Sequence, residues 1–348
     1  MEALNRSDIE SFDRNMAEAR CITAVVHTHP DGDAIGSGTA LLGYLSAHGK
    51  DAVLILPDRY PAALEFLIGG EMEKRVIVAE DSMAEAERRL RSSDLIICLD
   101  FNSFSRAGDL EECLSSVQSG KILIDHHLNP DRKCFSLCFS ETETSSTAEL
   151  LYHILMEMPD IRHDAGRLPA ITATALMTGM TTDTNNFANS VFPTTLAMAS
   201  SLLGAGVDRD FILDNIFNSY KESRIRLMGY LLDRCLHITD DGVAYMILEK
   251  NAISKFGIQD GDTEGFVNIP LAIGRVRMSI FLKQDKDRFR VSVRSKKGTS
   301  ANLCAAEFFN GGGHELASGG KLMIPDDVSC AADAAAYIER VTRIFFNR

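Results

Sequence analysis

The fold is decided by the stretch Ile22-Thr23-Ala24-Val25-Val26-His27-Thr28-His29-Pro30-Asp31-Gly32-Asp33, which continues as Ala34-Ile35-Gly36-Ser37-Gly38. Its first residues, as far as Val26, are apolar or β-branched and predict a short buried strand, and the residues after the glycines predict a helix. His27, Asp31 and Asp33 therefore lie in the loop between a strand and a helix, where open α/β sheets bind ligands. Imidazole and carboxylate ligands suit a divalent metal such as Mn²⁺ or Mg²⁺. The alternative is an acidic turn in which an aspartate caps the helix and the histidine is incidental.

Further apolar runs in the first half predict strands of the same kind, namely Asp51–Leu56, Asp94–Leu99 and Lys121–Ile124. They alternate with predicted helices, a pattern typical of a parallel sheet that is covered on both faces. Asp100 follows one of these strands directly, and Asp125-His126-His127 follows another. Asp183 comes after a helix that we expect to end near Gly179.

The acidic and imidazole side chains at these strand ends should converge, because parallel strands bring their carboxyl ends to one edge of a sheet. Without a cation, the mutual repulsion of the carboxylates would raise their pKa values and weaken the fold. The candidate ligands are also more numerous than one tetrahedral zinc ion requires. The sequence therefore predicts two divalent cations that share a carboxylate, an arrangement suited to in-line displacement at phosphorus.

Length and composition predict a two-domain cytoplasmic protein. The chain has 348 residues, more than a single core usually holds, of which 45% are hydrophobic and 24% charged. Its formal net charge of -13 disfavours the binding of long duplex DNA through the phosphates. The eight cysteines include no Cys-x-x-Cys pair and predict reduced thiols. We recognise neither a signal peptide nor an apolar run long enough to span a membrane.

The sequence pattern changes in the second half of the chain. Residues 206–240 predict helices of mixed charge that connect a catalytic domain over 1–205 to a smaller α/β domain over 241–348. In the second domain we predict three strands followed by two helices, which are Val243–Glu249, Arg275–Lys283, Arg288–Arg294, 301–309 and 330–346.

These motifs resemble those of a known family. The chain resembles the DHH phosphoesterase superfamily in the order and spacing of four motifs, which are His27-x-x-x-Asp31-x-Asp33, Asp100, Asp125-His126-His127 and Asp183. The run Gly311-Gly312-Gly313-His314, followed by Ala317-Ser318-Gly319, resembles the signature of the DHH-associated C-terminal domain. Together the motifs extend over nearly the whole chain and are similar to those of the nanoRNase/pAp-phosphatase branch.

The resemblance implies a role for each matching residue. One manganese ion would be held by His27, Asp31 and Asp100, and the other by Asp33, Asp100, His126 and Asp183, with Asp100 shared. Mg²⁺ and Co²⁺ are the alternative metals. His127 would lie near the scissile phosphate as a general acid or charge stabiliser, and Asp125 would orient a neighbouring histidine. The family also implies an active site in the cleft between the two domains.

Substrate binding is predicted mainly in the second domain. Arg294 and Ser295 end a strand and offer a guanidinium and a hydroxyl group to a phosphate, with a solvated strand end as the alternative. The C-terminal signature offers glycine backbone, an imidazole and a hydroxyl group to a phosphate or a base, through Gly312, Gly313, His314 and Ser318. Arg106 follows Asp100 closely enough to bind the transferred phosphate, or it is an ordinary surface arginine.

The chain departs from the family pattern at a few positions. Asn185-Asn186-Phe187 stands where relatives often carry Gly and Arg, and asparagine tolerates the left-handed backbone that glycine would adopt. Asn310 and Ser318 stand where a glycine and an alanine are usual. Thr144-Ser145-Ser146-Thr147 predicts the N-terminal cap of a helix, with a role beside the metals as the secondary alternative.

We therefore expect an enzyme that hydrolyses very short oligoribonucleotides (nanoRNA) to 5′-mononucleotides and dephosphorylates adenosine 3′,5′-bisphosphate. The alternatives are a phosphodiesterase for cyclic or linear dinucleotide second messengers, a short-chain exopolyphosphatase, and a non-catalytic nucleotide sensor. The sensor is disfavoured because every candidate metal ligand is present. The expected partners are short RNA oligomers and small nucleotides, without a membrane, and the sequence leaves the oligomeric state open, with a homodimer among the options.

Overall fold

The computed structural model describes residues 4–259 and 261–347. The chain divides into two compact units, the first of which ends at Ser219 and the second of which begins at Tyr220. This division falls within residues 206–240, the stretch that the sequence predicts as a helical connector. The predicted α/β class is confirmed, with a parallel sheet in the first unit and a mixed sheet in the second.

The first unit is built on a six-stranded sheet. Its strands are β1 Cys21–Val25, β2 Asp51–Leu56, β3 Val76–Val78, β4 Leu95–Leu99, β5 Gly120–Asp125 and β6 Leu137–Ser140. They lie in the order β3-β2-β1-β4-β5-β6, and every neighbouring pair is parallel. The direction of strand progression reverses between β1 and β4, which is the point where open sheets of this type bind ligands.

Helices cover both faces of this sheet. They are α1 Arg6–Glu18, α2 Gly32–Ala47, α3 Glu65–Ile68, α4 Ala79–Ser92, α5 Glu111–Ser116, α6 Thr147–Met156, α7 Ala170–Asp183, α8 Pro193–Gly204 and α9 Arg209–Phe217. Successive side chains of a strand point to opposite faces, so Ile22 and Ala24 of β1 join one apolar core while Val25 joins the other. A strand buried on both faces needs apolar residues at every position, which explains the continuous apolar runs in the sequence.

Two strands of this sheet were not predicted from the sequence. β3 has three residues, all of them half-buried, and β6 has four residues with one buried. Both lie at the edges of the sheet. An edge strand is covered less completely than a central one, so it lacks the continuous apolar run that identifies β1, β4 and β5.

Helices α2 and α7 cross at close range through glycines. A Cβ atom on Gly36 would lie 2.7 Å from the carbonyl oxygen of Ala175 and 2.7 Å from the Cα of Gly179. A Cβ on Gly179 would lie 2.6 Å from the Cβ of Ala148 in α6. The two helix backbones can therefore approach only because these positions carry no side chain. This crossing brings the N-terminus of α2 beside the C-terminus of α7.

The second unit has a mixed sheet of six strands in the order β11-β12-β10-β9-β8-β7. Its elements are α10 Glu222–Tyr230, β7 His237–Ile238, β8 Val243–Leu248, α11 Lys250–Phe256, β9 Met278–Asp285, β10 Arg288–Ser295, α12 Ala301–Phe308, β11 Gly312–Gly313, β12 Ala317–Met323 and α13 Ala334–Phe346. Strands β8 and β9 are parallel, and the other neighbours are antiparallel. None of the helices in residues 4–259 and 261–347 combines the length and the apolar composition that a membrane-spanning helix needs.

Candidate active site

Three neighbouring strands of the first unit end in the residues that the sequence singles out. His27 lies two residues beyond the end of β1, Asp100 follows β4, and β5 ends at Asp125, which His126 and His127 follow. Because β1, β4 and β5 are adjacent and parallel, these side chains meet at one edge of the sheet. The convergence predicted from parallel-sheet geometry is therefore present in the structure.

The first cluster is formed by His27, Asp31 and Asp100, whose ligand atoms lie within 4.8 Å of one another. Nε2 of His27 is 3.3 Å from Asp100 Oδ2 and 3.8 Å from Asp31 Oδ1. Nδ1 of the same ring is 2.8 Å from the carbonyl oxygen of Thr28, a contact that turns Nε2 toward the carboxylates. Asp31 is also the N-cap of α2 and accepts the backbone N–H of Asp33, so the capping role and the cluster position coexist.

The second cluster is formed around His126. Its Nε2 lies 3.9 Å from Asp33 Oδ2, 3.7 Å from Asp100 Oδ1 and 3.6 Å from Asp183 Oδ2. These distances exceed those of hydrogen bonds. They resemble the separation of ligands that share a cation, about 3 to 4 Å when each metal–ligand bond is about 2.0 to 2.2 Å.

Asp100 belongs to both clusters. Its Oδ2 faces His27, its Oδ1 faces His126, and the carboxyl group is buried. The backbone at Asp100 is left-handed, with φ of 64°, a conformation that costs a non-glycine residue roughly 1 to 3 kcal/mol. Backbone strain of this kind persists where the surrounding structure fixes it, commonly at functional sites.

The carboxylates at this edge repel one another. Burial and the charges of neighbouring aspartates raise the pKa of Asp33 and of Asp100 well above the usual value. Burial, followed by the charge of Asp31, raises the pKa of Asp183 to about 7. The part of each rise that comes from neighbouring charges is the repulsion that the sequence predicts for a site without a cation. Buried imidazole nitrogens and crowded carboxylate oxygens therefore form a donor set that fits divalent metal ions.

His127 pairs with Asp125 beside the clusters. Nδ1 of His127 is 2.7 Å from Asp125 Oδ1, and Asp125 is fully buried. Burial alone would lower the pKa of His127, but the hydrogen bond to Asp125 and the charge of Asp100 outweigh burial and raise it. Arg106 is exposed and close enough for its positive charge to oppose this rise.

Asp183 reaches the site from a helix. The sequence predicts that this helix ends near Gly179, but α7 continues to Asp183, so that expectation was wrong by one turn. The residues that follow, Asn185, Asn186 and Phe187, have φ values of 47°, 57° and 66°. The expectation that asparagine adopts a left-handed backbone here is confirmed. The hydroxyl oxygen of Thr184 accepts the N–H of Phe187 at 3.0 Å and holds this turn.

The predicted phosphate ligands of the second unit lie at the end of β10. Arg294 is half-buried, and its Nη1 donates to the carbonyl oxygens of Val293 and Ser318 at 3.0 and 3.3 Å. Burial lowers the pKa of Arg294. The hydroxyl group of Ser295 is buried and donates to the carbonyl oxygen of Thr299 at 2.6 Å. Ser295 is thus already bonded within its own turn.

The glycine-rich run forms the edge of the same sheet. Gly312 and Gly313 make up β11 and are exposed, and the N–H of Gly313 donates to Asn302 Oδ1 at 3.0 Å. His314 begins the tight turn into β12 and accepts the hydroxyl hydrogen of Ser318 through its carbonyl oxygen at 2.9 Å. A Cβ on Gly311 would overlap the backbone of β12. Close packing of two strands therefore accounts for part of the glycine content.

Helix α6 contributes contacts to the site that the sequence indicated only as a secondary alternative. Its N-cap is Ser146, whose hydroxyl oxygen accepts the N–H of Glu149 at 3.0 Å. The next residue, Thr147, donates its hydroxyl hydrogen to Asp100 Oδ1 at 2.9 Å. Its backbone N–H donates to Asp33 Oδ2 at 2.7 Å. Residues at the start of α6 therefore contact both carboxylate clusters.

Glu149 lies in the first turn of α6, and its carboxylate is fully buried. Its Oε2 accepts hydrogen bonds from the hydroxyl groups of Ser145 and, at 2.7 Å, Thr195, and its Oε1 lies 3.6 Å from His153 Nε2. Burial would raise the pKa of Glu149, but these donors lower it from 4.5 to about 2. The charged carboxylate therefore stabilises the fold above pH 4.5, and this contribution is lost as the pH falls toward 2.

We expect Glu149→Gln to lower the free energy of unfolding at pH 7 by up to about 3 kcal/mol, at roughly 1.4 kcal/mol per unit of pKa shift. Urea unfolding of both proteins at several values between pH 7 and pH 3 should show the difference shrinking below pH 4.5. Glu157→Gln, at the exposed end of the same helix, should leave stability nearly unchanged. A difference in the free energy of unfolding that does not change with pH would contradict the assignment of this stabilisation to the charged carboxylate of Glu149.

Two family models match the chain. The model for the DHH family, N-terminal domain, matches residues 21–180, and the model for the DHHA1 domain matches residues 240–340. The first range contains every member of the first and second clusters except Asp183. The second range contains Arg294 and the glycine-rich run. The two models together therefore extend over both units.

Known proteins resemble the chain over most of its length. The bifunctional oligoribonuclease and PAP phosphatase NrnA of Bacillus subtilis is 27% identical over 312 residues, which are 88% of this chain and 91% of that protein. The cyclic-di-AMP phosphodiesterase GdpP of Bacillus subtilis is 23% identical over 86% of this chain, which corresponds to 44% of the longer protein. A solved structure of an exopolyphosphatase-related protein from Bacteroides fragilis is 33% identical and has a TM-score of 0.91, covering 100% of this chain and 98% of that one.

Sequence motifs, sheet order and the two family matches agree with one another. The histidine and aspartate clusters lie at the switch point of a parallel sheet, as the DHH motifs imply, and a DHHA1 domain follows. The chain therefore belongs to the DHH family of phosphoesterases, hydrolases that here combine the DHH domain with a DHHA1 domain.

Proposed function

We propose that this chain is a Mn²⁺-dependent phosphoesterase that hydrolyses very short oligoribonucleotides to 5′-mononucleotides and removes the 3′-phosphate of adenosine 3′,5′-bisphosphate. The observation that carries the proposal is the position of Asp100, whose two carboxylate oxygens face His27 and His126 respectively. A carboxylate in this position supports a pair of cations with one shared ligand. The similarity to NrnA along most of both chains supports the choice of substrates.

The proposed metal ligands are the members of the two clusters. They are His27, Asp31 and Asp100 for one cation, and Asp33, Asp100, His126 and Asp183 for the other. When bound, the cations would neutralise charge on the phosphoryl oxygens and lower the pKa of the attacking water. The chain itself supplies the fixed geometry, since Asp31 is held by its capping contacts and Asp100 by the hydrogen bond from the hydroxyl group of Thr147.

His127 is the proposed proton donor to the leaving oxygen. Asp125 accepts the hydrogen of Nδ1, which fixes the orientation of the ring and favours its protonated form. Arg106, close to His127, is proposed to bind the phosphate that is transferred. Both residues lie outside the proposed metal ligands, so their substitution should affect turnover more than metal binding.

The second unit is proposed to bind the nucleotide. The side chains of His314 and Arg294 are proposed to donate to a phosphate or a base, and the exposed Gly312 and Gly313 would let the nucleotide approach the backbone closely. The hydroxyl groups of Ser295 and Ser318 are bonded to backbone carbonyl oxygens of their own turns. Their proposed contribution is to fix the backbone around the bound nucleotide.

The compartment proposed for this activity is the cytoplasm. All eight cysteines are unpaired, and Cys98, Cys113 and Cys304 are buried. Burial raises the pKa of each of these three thiols, which disfavours the reactive thiolate form. Unpaired thiols are typical of proteins that function where glutathione keeps cysteine reduced.

A panel of substrates tests the proposed function. The purified full chain with Mn²⁺ should be offered a three-residue RNA, a linear diadenylate, adenosine 3′,5′-bisphosphate, pyrophosphate and short polyphosphate. Fast cleavage of the RNA and the bisphosphate, with pyrophosphate intact, is the expected result. Preference for the diadenylate would favour the second-messenger alternative that the similarity to GdpP suggests, and preference for polyphosphate would favour an exopolyphosphatase.

We expect His127→Ala to lower kcat by roughly 10²- to 10⁴-fold, because a positioned general acid contributes about that much to a hydrolysis. The bound metal should remain, which atomic absorption or calorimetry can measure alongside turnover. His163→Ala removes an imidazole that is 68% exposed and pairs with Glu157, and it should leave kcat unchanged. Full activity of His127→Ala would contradict the role of this residue.

A further inference from the structure

The first residues of α6 contact the carboxylates that we assign to the two cations. The backbone N–H of Thr147 donates to Asp33 Oδ2 at 2.7 Å, and that of Ala148 donates to Asp33 Oδ1 at 2.9 Å. The hydroxyl group of Thr147 donates to Asp100 Oδ1 at 2.9 Å. Asp33, Asp100, Thr147 and Ala148 are all buried, so bulk water does not compete for these hydrogen bonds.

The geometry of these contacts fixes how each carboxylate is oriented. Asp33 receives one donor on each oxygen, so its carboxyl plane cannot rotate without breaking a bond. Backbone N–H groups in the first turn of a helix have no partner within the helix, and the helix dipole there favours a negative charge. The start of α6 therefore offsets part of the cost that burial and the neighbouring aspartates impose on the charged form of Asp33.

The start of α6 is itself held in place by further hydrogen bonds. Ser146 caps the helix through its bond to the N–H of Glu149. The buried carboxylate of Glu149 in turn accepts bonds from Ser145, before the helix, and from Thr195 in α8. These contacts leave the first turn of α6 little freedom to move, and a rigid support is what precise ligand orientation requires.

We propose that Thr147 is a positioning residue for both cations: its hydroxyl group orients the shared carboxylate of Asp100, and its backbone N–H, with that of Ala148, orients Asp33. The proposal rests on the proposed two-metal site. A hydrogen bond from the hydroxyl group to one oxygen of Asp100 leaves the remaining lone pairs of that carboxylate for the cations.

The test compares Thr147→Val, which keeps the shape of the side chain and loses the hydroxyl group, with Thr147→Ser, which keeps the hydroxyl group. Titration calorimetry of the metal-stripped full chain with Mn²⁺ should give a Kd about 10- to 100-fold higher for the valine variant. The serine variant should bind within a few-fold of wild type. Urea unfolding without metal would report any loss of stability separately.

Thr172→Val is the matched control. Thr172 is also fully buried, and its hydroxyl group donates to a backbone carbonyl oxygen, that of Ala40, at 3.0 Å. This variant should lose stability comparable to Thr147→Val and keep the wild-type Kd for Mn²⁺. Equal affinity of wild type and Thr147→Val, or weakened binding by Thr147→Ser, would overturn the proposal.

The outcome also separates this proposal from the proposed function. If wild type binds Mn²⁺ and cleaves none of the five substrates, the proposed function is contradicted, whereas weaker binding by Thr147→Val would still support the positioning role. If wild type cleaves RNA and Thr147→Val binds Mn²⁺ as tightly as wild type, the function stands and the positioning role is overturned.

Discussion

Replacement of Asp100 by asparagine should abolish hydrolysis, with a loss of at least about 10⁴-fold in kcat/KM, while the protein stays folded. Asp100 Oδ2 lies 3.3 Å from His27 Nε2, and Oδ1 lies 3.7 Å from His126 Nε2. An amide supplies one neutral oxygen where the carboxylate supplies two charged ones, so one proposed cation loses its ligand and the other keeps only a neutral oxygen. The metal content of the variant should therefore fall well below that of wild type.

The stability of the metal-free variant should change in the opposite direction. Burial, and then the charge of Asp31, raises the pKa of Asp100, so the charged carboxylate is unfavourable in the fold without metal. Removing this charge should keep or increase the free energy of unfolding of the metal-stripped protein. Urea unfolding with and without Mn²⁺ measures both effects, because bound metal should stabilise wild type and not the variant.

Asp94→Asn is the control for this experiment. Asp94 immediately precedes β4, the strand that Asp100 follows, and its Oδ2 accepts the N–H groups of Arg20 and Cys21. Its substitution alters the same strand at the end remote from the clusters and should leave turnover and metal content unchanged. Turnover by Asp100→Asn, or unfolding of this variant in the absence of metal, would contradict the shared-ligand assignment.

The central strands and the site at their ends could be predicted from the sequence for a physical reason. β1, β4 and β5 are buried on both faces, so each appears as a continuous apolar run, and the first polar residues after each run mark the carboxyl edge of the sheet. Parallel geometry then brings those residues together without further information. The order of the motifs along the chain was enough to identify the family.

The supports of the site could not be predicted in the same way. Contacts such as those of Thr147 with Asp33 and Asp100 join residues 114 and 47 positions apart, and no local pattern reports them. Locally, threonine and serine before an apolar run predict only a helix cap. The extension of α7 to Asp183 was missed because threonines near a helix end lower the local helix propensity, whereas packing on α2 maintains the helix.

The crossing of α2 and α7 could not be predicted from the sequence either, because glycine within a helix usually lowers the stability of the helix and does not by itself indicate a helix–helix contact. In the structure, Gly36 and Gly179 face each other with no room for a side chain. This close approach places Asp33 at the start of α2 near Asp183 at the end of α7, although 150 residues separate them. The second cluster therefore depends on the absence of a side chain at both Gly36 and Gly179.

Gly179→Ala should accordingly weaken metal binding as well as the fold. The added Cβ would lie 2.6 Å from the Cβ of Ala148 and 2.9 Å from Oδ1 of Asp33, both closer than such atoms approach in proteins. Relief requires α7 to move away from α6 and α2, at a cost of about 1 to 3 kcal/mol for overpacking. The same movement carries Asp183 at the end of α7 away from the cluster, and any clash that remains pushes on Oδ1 of Asp33, so we expect the Kd for Mn²⁺ to rise at least tenfold.

Gly229→Ala separates this steric effect from the general effect of alanine in a helix. Gly229 lies in α10, and a Cβ there would meet no atom within 4 Å, so alanine should keep or raise stability, by up to about 1 kcal/mol. Unfolding by urea and calorimetry with Mn²⁺ on both variants measure the contrast. Because the clash involves Asp33 itself, a Gly179→Ala protein that loses stability but binds Mn²⁺ as tightly as wild type would contradict the assignment of Asp33 as a ligand, and the second cluster would then need a different member.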